Sequence, residues 1–258
     1  MSRIIAVANQ KGGVGKTTTS VNLAASLAVN ERSVLLIDMD PQANATSGIG
    51  VDANALRLSI YDCLVRDTKI SEVIQPTDIP RLFIVPSNAD LAGAEVELIT
   101  IPEREKVLKQ ALDKLQDLYD FLIIDCPPAL GMLTINALVA ASSVLIPVQC
   151  EYYAMEGLGR LMSNVQRVQD SLNPALELEG ILLTLYDSRN TLSRQVAEEI
   201  REHFKEKVYK TVIPRNVTLA EAPSYGRPIM LYNAASTGSQ AYLELTREAL
   251  SHGKESPR

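Results

Sequence analysis

The chain has 258 residues, 46% of them apolar and 22% charged, with a net charge of −6. That is ordinary globular composition with enough apolar material for a full core, and no run approaches the roughly 20 apolar residues of a membrane-spanning helix. Three cysteines (Cys63, Cys126, Cys150) without a paired spacing argue against a disulfide framework and fit a reducing cytoplasm. Met1-Ser2-Arg3 runs straight into apolar residues, without the charged and long apolar regions of a secretory signal.

In chain order, residues 3–8 (Arg-Ile-Ile-Ala-Val-Ala) predict a buried strand followed by a glycine-rich turn. Thr17 to Val29 predicts a helix with Val21, Ala24, Ala25, Leu27 and Ala28 as its apolar positions. Residues 33–37 predict a second strand ending at Asp38-Met39-Asp40-Pro41, and the Asn/Ala/Ser/Gly run through Gly50 predicts a long loop. Residues 82–86 predict another strand. From Glu103, the positions Val107, Leu108, Ala111, Leu112, Leu115 and Leu118 recur at helical spacing. Residues 121–125 (Phe-Leu-Ile-Ile-Asp) predict a strand closed by a carboxylate, and 143–148 another. Leu158, Leu161, Met162, Val165, Val168 and Leu172 mark a long helix. Strand 180–185, helix 192–204, strand 208–213 and a last helix over about 239–251 complete the chain. Apolar strands alternating with helices predict an α/β fold, a mostly parallel twisted sheet flanked by helices on both faces. With no linker-like or repeated segment, a single domain over 1–258 is expected. Ligands of such sheets sit at the carboxyl ends of the strands.

Gln10-Lys11-Gly12-Gly13-Val14-Gly15-Lys16-Thr17-Thr18 lies at a strand–helix junction, the context a phosphate-binding loop requires. Glycines let the backbone curl and turn its N–H groups toward phosphate oxygens, and the following helix adds positive potential at its N-terminus. Lys16 is placed to reach the β- and γ-phosphates, Thr17 to ligate Mg²⁺ and Thr18 to bond the α-phosphate of ATP. The usual pattern has glycine where this chain has Gln10. A plain glycine turn capping a helix explains neither Lys16 nor the paired threonines. Asp125, followed by Cys126-Pro127-Pro128, reads as the strand-end carboxylate that holds Mg²⁺ through water. Asp38 and Asp40 close the second strand, and strand alternation puts both side chains on one side; an Asx-turn capping the next loop is the alternative.

Lys11, a second lysine before the glycines, resembles the deviant Walker A motif (Lys-Gly-Gly-x-Gly-Lys-Thr) of the ParA/MinD/nitrogenase-iron-protein class of P-loop ATPases. The resemblance implies a homodimer that sandwiches ATP, with Lys11 crossing to the partner's phosphates as an arginine finger does. Further stretches, Asp-Pro-Gln-Ala-Asn-Ala-Thr-Ser-Gly (40–48), Leu-Ala-Gly-Ala-Glu-Val-Glu-Leu (91–98), Pro-Val-Gln-Cys-Glu-Tyr-Tyr-Ala-Met-Glu-Gly (147–157) and Val-Ile-Pro-Arg-Asn-Val (212–217), resemble the Soj/ParA branch over nearly the whole chain. By that match Asp40 orients the attacking water and Asp38 supports the Mg²⁺ shell. Pro214 and Asn216 lie near the adenine, and Glu151 touches the ribose or the partner subunit. The branch implies an ATP-dependent dimer on non-specific double-stranded DNA, at the nucleoid in the cytoplasm, with a ParB-type partner that stimulates hydrolysis. The chain begins directly at its first strand, so no separate N-terminal DNA-binding domain is expected.

Residues 187–258 carry 11 basic against 9 acidic residues, whereas 1–186 carry 14 against 22. Ordinary scatter and a basic face both fit that asymmetry. Arg189 falls where the Soj family has a DNA-binding arginine. Arg194, Arg201, Lys205, Lys207, Arg215 and Arg227 are the other candidate phosphate contacts. Arg194, Arg201 and Lys205 equally suit a solvated helix face balanced by Glu198, Glu199, Glu202 and Glu206. Thr218 stands where relatives often have a further arginine. A MinD-like membrane cycle needs a basic amphipathic C-terminal helix. The tail Ser-His-Gly-Lys-Glu-Ser-Pro-Arg carries Gly253 and Pro257, so no stable membrane association is expected. Nor is an iron–sulfur cluster, with no CxxC pair, or a tyrosine autokinase, with no tyrosine cluster at the end of the chain.

Overall fold

The computed structural model describes residues 2–115 and 117–252. In chain order the elements are β1 Arg3–Val7, α1 Lys16–Val29, β2 Val34–Asp38, α2 Asn44–Gly48, α3 Ile60–Val65, α4 Ile70–Val73, β3 Gln75–Pro76, β4 Leu82–Val85, α5 Leu91–Glu97 and α6 Val107–Leu112. There follow β5 Phe121–Asp125, α7 Met132–Ala140, β6 Ser143–Gln149, α8 Ala154–Ser171, β7 Glu177–Tyr186, α9 Thr191–Phe204, β8 Val208–Pro214, α10 Val217–Glu221, α11 Ile229–Tyr232 and α12 Thr237–His252.

The strands form one eight-stranded sheet in the order β3-β4-β2-β5-β1-β6-β7-β8. All pairings are parallel except β3 with β4 at one edge. All five residues of β2 and of β5 are buried, as a sheet covered on both faces demands. Alternation sorts their side chains: Ile4, Ala6, Leu35 and Ile37 join the core under α5–α9, whereas Ile5, Val7, Val34 and Leu36 join the core under α1, α11 and α12. The register aligns Val7 with Asp125 and Asp38 with Asp125. The phosphate loop and the two aspartates therefore open on the same carboxyl edge.

Two expectations are corrected. Residues 41–50 are not simply a loop, because α2 forms within them around a left-handed Ala43 at φ 51. The helix expected from Glu103 is broken. Only α6 is α-helical, between 3₁₀ turns at Arg104–Lys106 and Asp113–Leu115, and Leu118 is 65% exposed. The break has a visible cause. A continuous helix would bond the Leu108 N–H to the Arg104 carbonyl. Here Asn136 of α7 inserts its amide between them, accepting from Leu108 N at 3.1 Å and donating to Arg104 O at 2.8 Å. Residues 253–258, which carry most of the tail on which the expectations about membrane association and terminal tyrosines rest, lie outside the described residues.

Candidate functional site

The loop between β1 and α1 turns through Gly13 at φ 73 and Gly15 at φ 86, the left-handed region where a Cβ is strained. Gly15 is also the N-cap of α1. Side chains from the sheet fasten the loop. Asn9 accepts from Lys11 N at 3.0 Å and donates to Pro147 O at 2.7 Å. Thr184, at the end of β7, donates to Val14 O at 2.8 Å. Together they hold the loop open around a cavity of about 660 Å³. Gly12, Gly13, Gly15, Lys16, Thr17, Thr18 and Asp40 line it together with Ile213, Pro214, Asn216, Leu219 and Pro223.

Lys16 is buried, with Nζ 3.1 Å from the Lys11 carbonyl. Burial pulls its pKa down, while the carboxylates of Asp125 and Asp40 push it back up. Asp125 is wholly buried at the end of β5. One of its oxygens accepts from Ser20 Oγ at 2.8 Å, and the other has no partner. Burial, then the charge of Asp38, pushes its pKa up to about 8, against the hydroxyls of Ser20 and Thr17. A wholly buried carboxylate oxygen without a hydrogen-bond partner fits a cation. Among the described residues no group of three or more His, Cys, Asp or Glu could hold a metal. Mg²⁺ that keeps waters and takes phosphate oxygens needs only one or two protein ligands.

Asp38 and Asp40 part company. Asp40 lines the cavity and accepts from Gln42 N at 2.9 Å. Asp38, expected in the Mg²⁺ shell, is not among the cavity-lining residues, and neither is Asp125; what separates them is that both oxygens of Asp38 are taken by protein donors. One of its oxygens accepts from Asp40 N at 3.0 Å, the other from Thr46 N at 2.8 Å and Thr46 Oγ1 at 2.7 Å. Burial pushes its pKa up to about 6, opposed by those hydrogen bonds. Lys11 lies outside the cavity lining, with Nζ 2.7 Å from Glu151, and Glu151 also accepts from Gln149. Asn216 is the N-cap of α10, accepting from Leu219 N at 3.0 Å and from Thr218, and donating to Thr237 Oγ1 at 2.9 Å.

The basic residues expected on DNA are spread over several elements. Arg189 is 88% exposed and forks onto Asp187, with Nε and Nη2 each 3.0 Å from an oxygen. Arg215 is exposed, and its N–H donates to Tyr186 O at 3.0 Å, at the ends of the neighbouring β7 and β8. Arg194 begins α9 on the same side. Arg201, donating to Lys210 O at 3.2 Å, and Lys205 lie toward the far end of this helix, which spans about 21 Å. Arg227 lines the cavity instead.

Sequence reasoning missed Asn9, Ser20, Asn22, Thr46, Ser87 and Thr184. Ser20 had a signal: four residues after Lys16, it shares that face of α1. Asn22 donates to Thr18 O at 2.8 Å and accepts from Ile229 N at 2.7 Å, tying the loop's helix to α11.

The family model for an AAA domain matches residues 2–178. Soj of Bacillus subtilis (strain 168) is 54% identical over 98% of this chain and 100% of its own length. The chromosome partitioning protein ParA of Myxococcus xanthus (strain DK1622) is 53% identical over 100% of this chain and 92% of its own. This chain belongs to the Soj/ParA family of chromosome-partitioning ATPases. A solved structure of cobyrinic acid a,c-diamide synthase from Mycobacterium smegmatis, with bound ADP and magnesium, superposes at a TM-score of 0.87 with 41% identity, covering 99% of this chain and 96% of that one. The Soj/ParA chain has no helix among its described residues long and apolar enough to cross a membrane.

Proposed function

We propose that this Soj/ParA chain is an ATP-driven switch. ATP and magnesium close two copies into a dimer that binds double-stranded DNA without reading its sequence. Slow hydrolysis, stimulated by a ParB-type partner, returns monomers that let go. The observation that carries the reading is the buried Asp125 carboxylate, one oxygen of which has no hydrogen-bond partner, near a buried Lys16 whose charge it supports, in a chain 54% identical to a Soj protein. The bound ADP and magnesium of the similar synthase support the same nucleotide and ion here.

In this reading the backbone N–H groups of Gly13 to Thr18 cradle the phosphates. Lys16 sits on the β- and γ-phosphates, and Thr18 on the α-phosphate. Thr17 and Asp125 would hold magnesium, which when bound would neutralise charge building on the phosphate oxygens. Asp40, the acceptor inside the cavity, orients the attacking water. Lys11 supplies a positive charge in trans to the partner's site. Pro214 and Asn216 hold the base end, and Glu151 meets the ribose or the partner. Arg189, Arg194 and Arg215 are the favoured DNA contacts: Arg189 and Arg215 both act on Asp187, and Arg194 lies in the first turn of the helix that follows. Two protomers double that modest patch, so DNA favours the dimer by multivalency. The site of action is the nucleoid in the cytoplasm, and a single domain performs all of it without stable membrane association.

The test is binding to random-sequence duplex with ATP, with ADP and without nucleotide, at low and moderate salt. Binding with ATP alone, weakened by salt, supports the switch. Equal binding in all three conditions, or none, rejects DNA as the cargo of the ATP form.

A further inference from the structure

Asp40 is gripped at both of its backbone groups by side chains, one two residues before it and one from a distant segment. Its N–H donates to Asp38 Oδ1 at 3.0 Å, and its carbonyl accepts from Ser87 Oγ at 2.8 Å and from Ala43 N at 2.9 Å. The two grips are joined through Thr46, whose hydroxyl donates to Asp38 Oδ2 at 2.7 Å and accepts from Ser87 N at 2.9 Å. Asp38, Thr46 and Ser87 are each fully buried, so every bond lies out of water's reach, where it is strongest and most costly to break. The sheet brings these residues together: β2 pairs with β4, Ile37 opposite Val85, so Ser87 runs alongside Asp40. The segment around Ser87 is itself fixed, because Ile60 N donates to Pro86 O at 2.9 Å and Ser59 Oγ to Asn88 Oδ1 at 3.1 Å.

We infer that Ser87 and Thr46, with Asp38, are positioning residues for Asp40, setting where its carboxylate stands in the cavity. This rests on the proposed role of Asp40 in hydrolysis. It also gives Asp38 work that needs no contact with the metal, since both of its oxygens are already occupied by protein donors. None of the three residues lines the cavity and their polar atoms are taken by one another and by backbone groups, so the network is expected to act on turnover more than on nucleotide affinity. A carboxylate displaced by even about 1 Å loses a large part of its effect on a reacting group.

The test uses the full chain with Ser87→Ala, Thr46→Val and Thr46→Ser. Ser87→Ala and Thr46→Val are expected to lower kcat about tenfold with KM for ATP within twofold, while Thr46→Ser, which keeps the hydroxyl, restores most of the rate. In the nucleotide-free protein the same two variants are expected to speed hydrogen exchange at the amides of Asp40, Ala43 and Thr46 about tenfold. Unchanged kcat in both variants overturns the inference, as does a loss confined to KM. Should the natural chain show no turnover at all, the functional reading fails, and exchange alone decides the network: unchanged protection overturns it.

Discussion

Lys11 Nζ stands 2.7 Å from the carboxylate of Glu151 in its own chain. The lysine proposed to serve a partner's phosphates thus begins in an ion pair at home. Both side chains are about half exposed, 46% and 47%, and such pairs are worth roughly 0–1 kcal/mol. On the proposed role of Lys11, the pair is a weak brake on dimerisation. Glu151→Gln is expected to shift ATP-dependent dimerisation to lower protein concentration by up to about fivefold, and Lys11→Ala to abolish it. Light scattering over a concentration series with a slowly hydrolysed ATP analogue measures both. A weaker dimer in Glu151→Gln would mean that the proposed contact of Glu151 with the ribose or the partner subunit outweighs the release of Lys11.

Asp125 is stored at a cost. Its folded pKa is pushed up to about 8 from an ordinary 3.8, so between those values the folded chain holds a proton that the unfolded chain has lost. Stability of the metal-free protein therefore falls as pH rises through that window, and Asp38, pushed up to about 6, adds the same sign over its lower part. Asp125→Asn removes the buried charge and still offers Ser20 an acceptor. In EDTA at pH 8 the variant is expected to be about 1–3 kcal/mol more stable than the natural chain, with the gap shrinking toward pH 5. The same variant should lose the gain in ADP affinity that magnesium gives. Thermal melts at the two pH values and ADP titrations with and without magnesium check the two halves separately.

The readable parts of the fold were those written in local pattern. Strands such as Phe121–Asp125 are unbroken apolar runs because both faces of the sheet are covered, and α8 and α9 carry clear stripes. The phosphate loop was legible because its chemistry needs particular residues at particular spacing. What escaped the sequence depends on partners far along the chain. The break before α6 is made by Asn136, some thirty residues on, which takes the bond that would have continued the helix. Asp38 and Asp40 look equivalent in a strand, yet Thr46 claims one and leaves the other to the cavity. Thr184 and Ser87 carry no motif, since they act on backbone groups of other segments.

Thr184 tests that kind of contact directly. Its hydroxyl donates to the Val14 carbonyl at 2.8 Å and so holds that peptide with its carbonyl toward β7, away from the phosphate cradle. Thr184→Val keeps the shape and removes the donor. One buried hydrogen bond is worth about 1 kcal/mol net, so ADP and ATP affinity should fall about fivefold, with Thr184→Ser close to natural. Calorimetric titration with each nucleotide reads this. An unchanged affinity in Thr184→Val would mean that Asn9 and the two left-handed glycines hold the loop unaided.

The DNA contact proposed for Arg189 depends on the company that residue keeps. Its guanidinium forks onto Asp187 and is 88% exposed, so it is presented to solvent but partly neutralised. A DNA phosphate must compete with that carboxylate. Arg189→Ala should leave ATP-dependent dimerisation intact, weaken binding to all duplex sequences alike, and reduce the salt slope by about 0.9 for each phosphate that is no longer neutralised. Asp187→Asn works the other way: it keeps an acceptor for the Arg189 N–H and removes the competing charge, so DNA affinity at moderate salt should rise. Measuring both variants on random-sequence duplex over a salt series separates a phosphate contact from general loss of positive charge. If Arg189 touches no phosphate, Asp187→Asn raises affinity only through net charge, and Arg189→Ala matches a neutralised Lys109 on α6 in its effect.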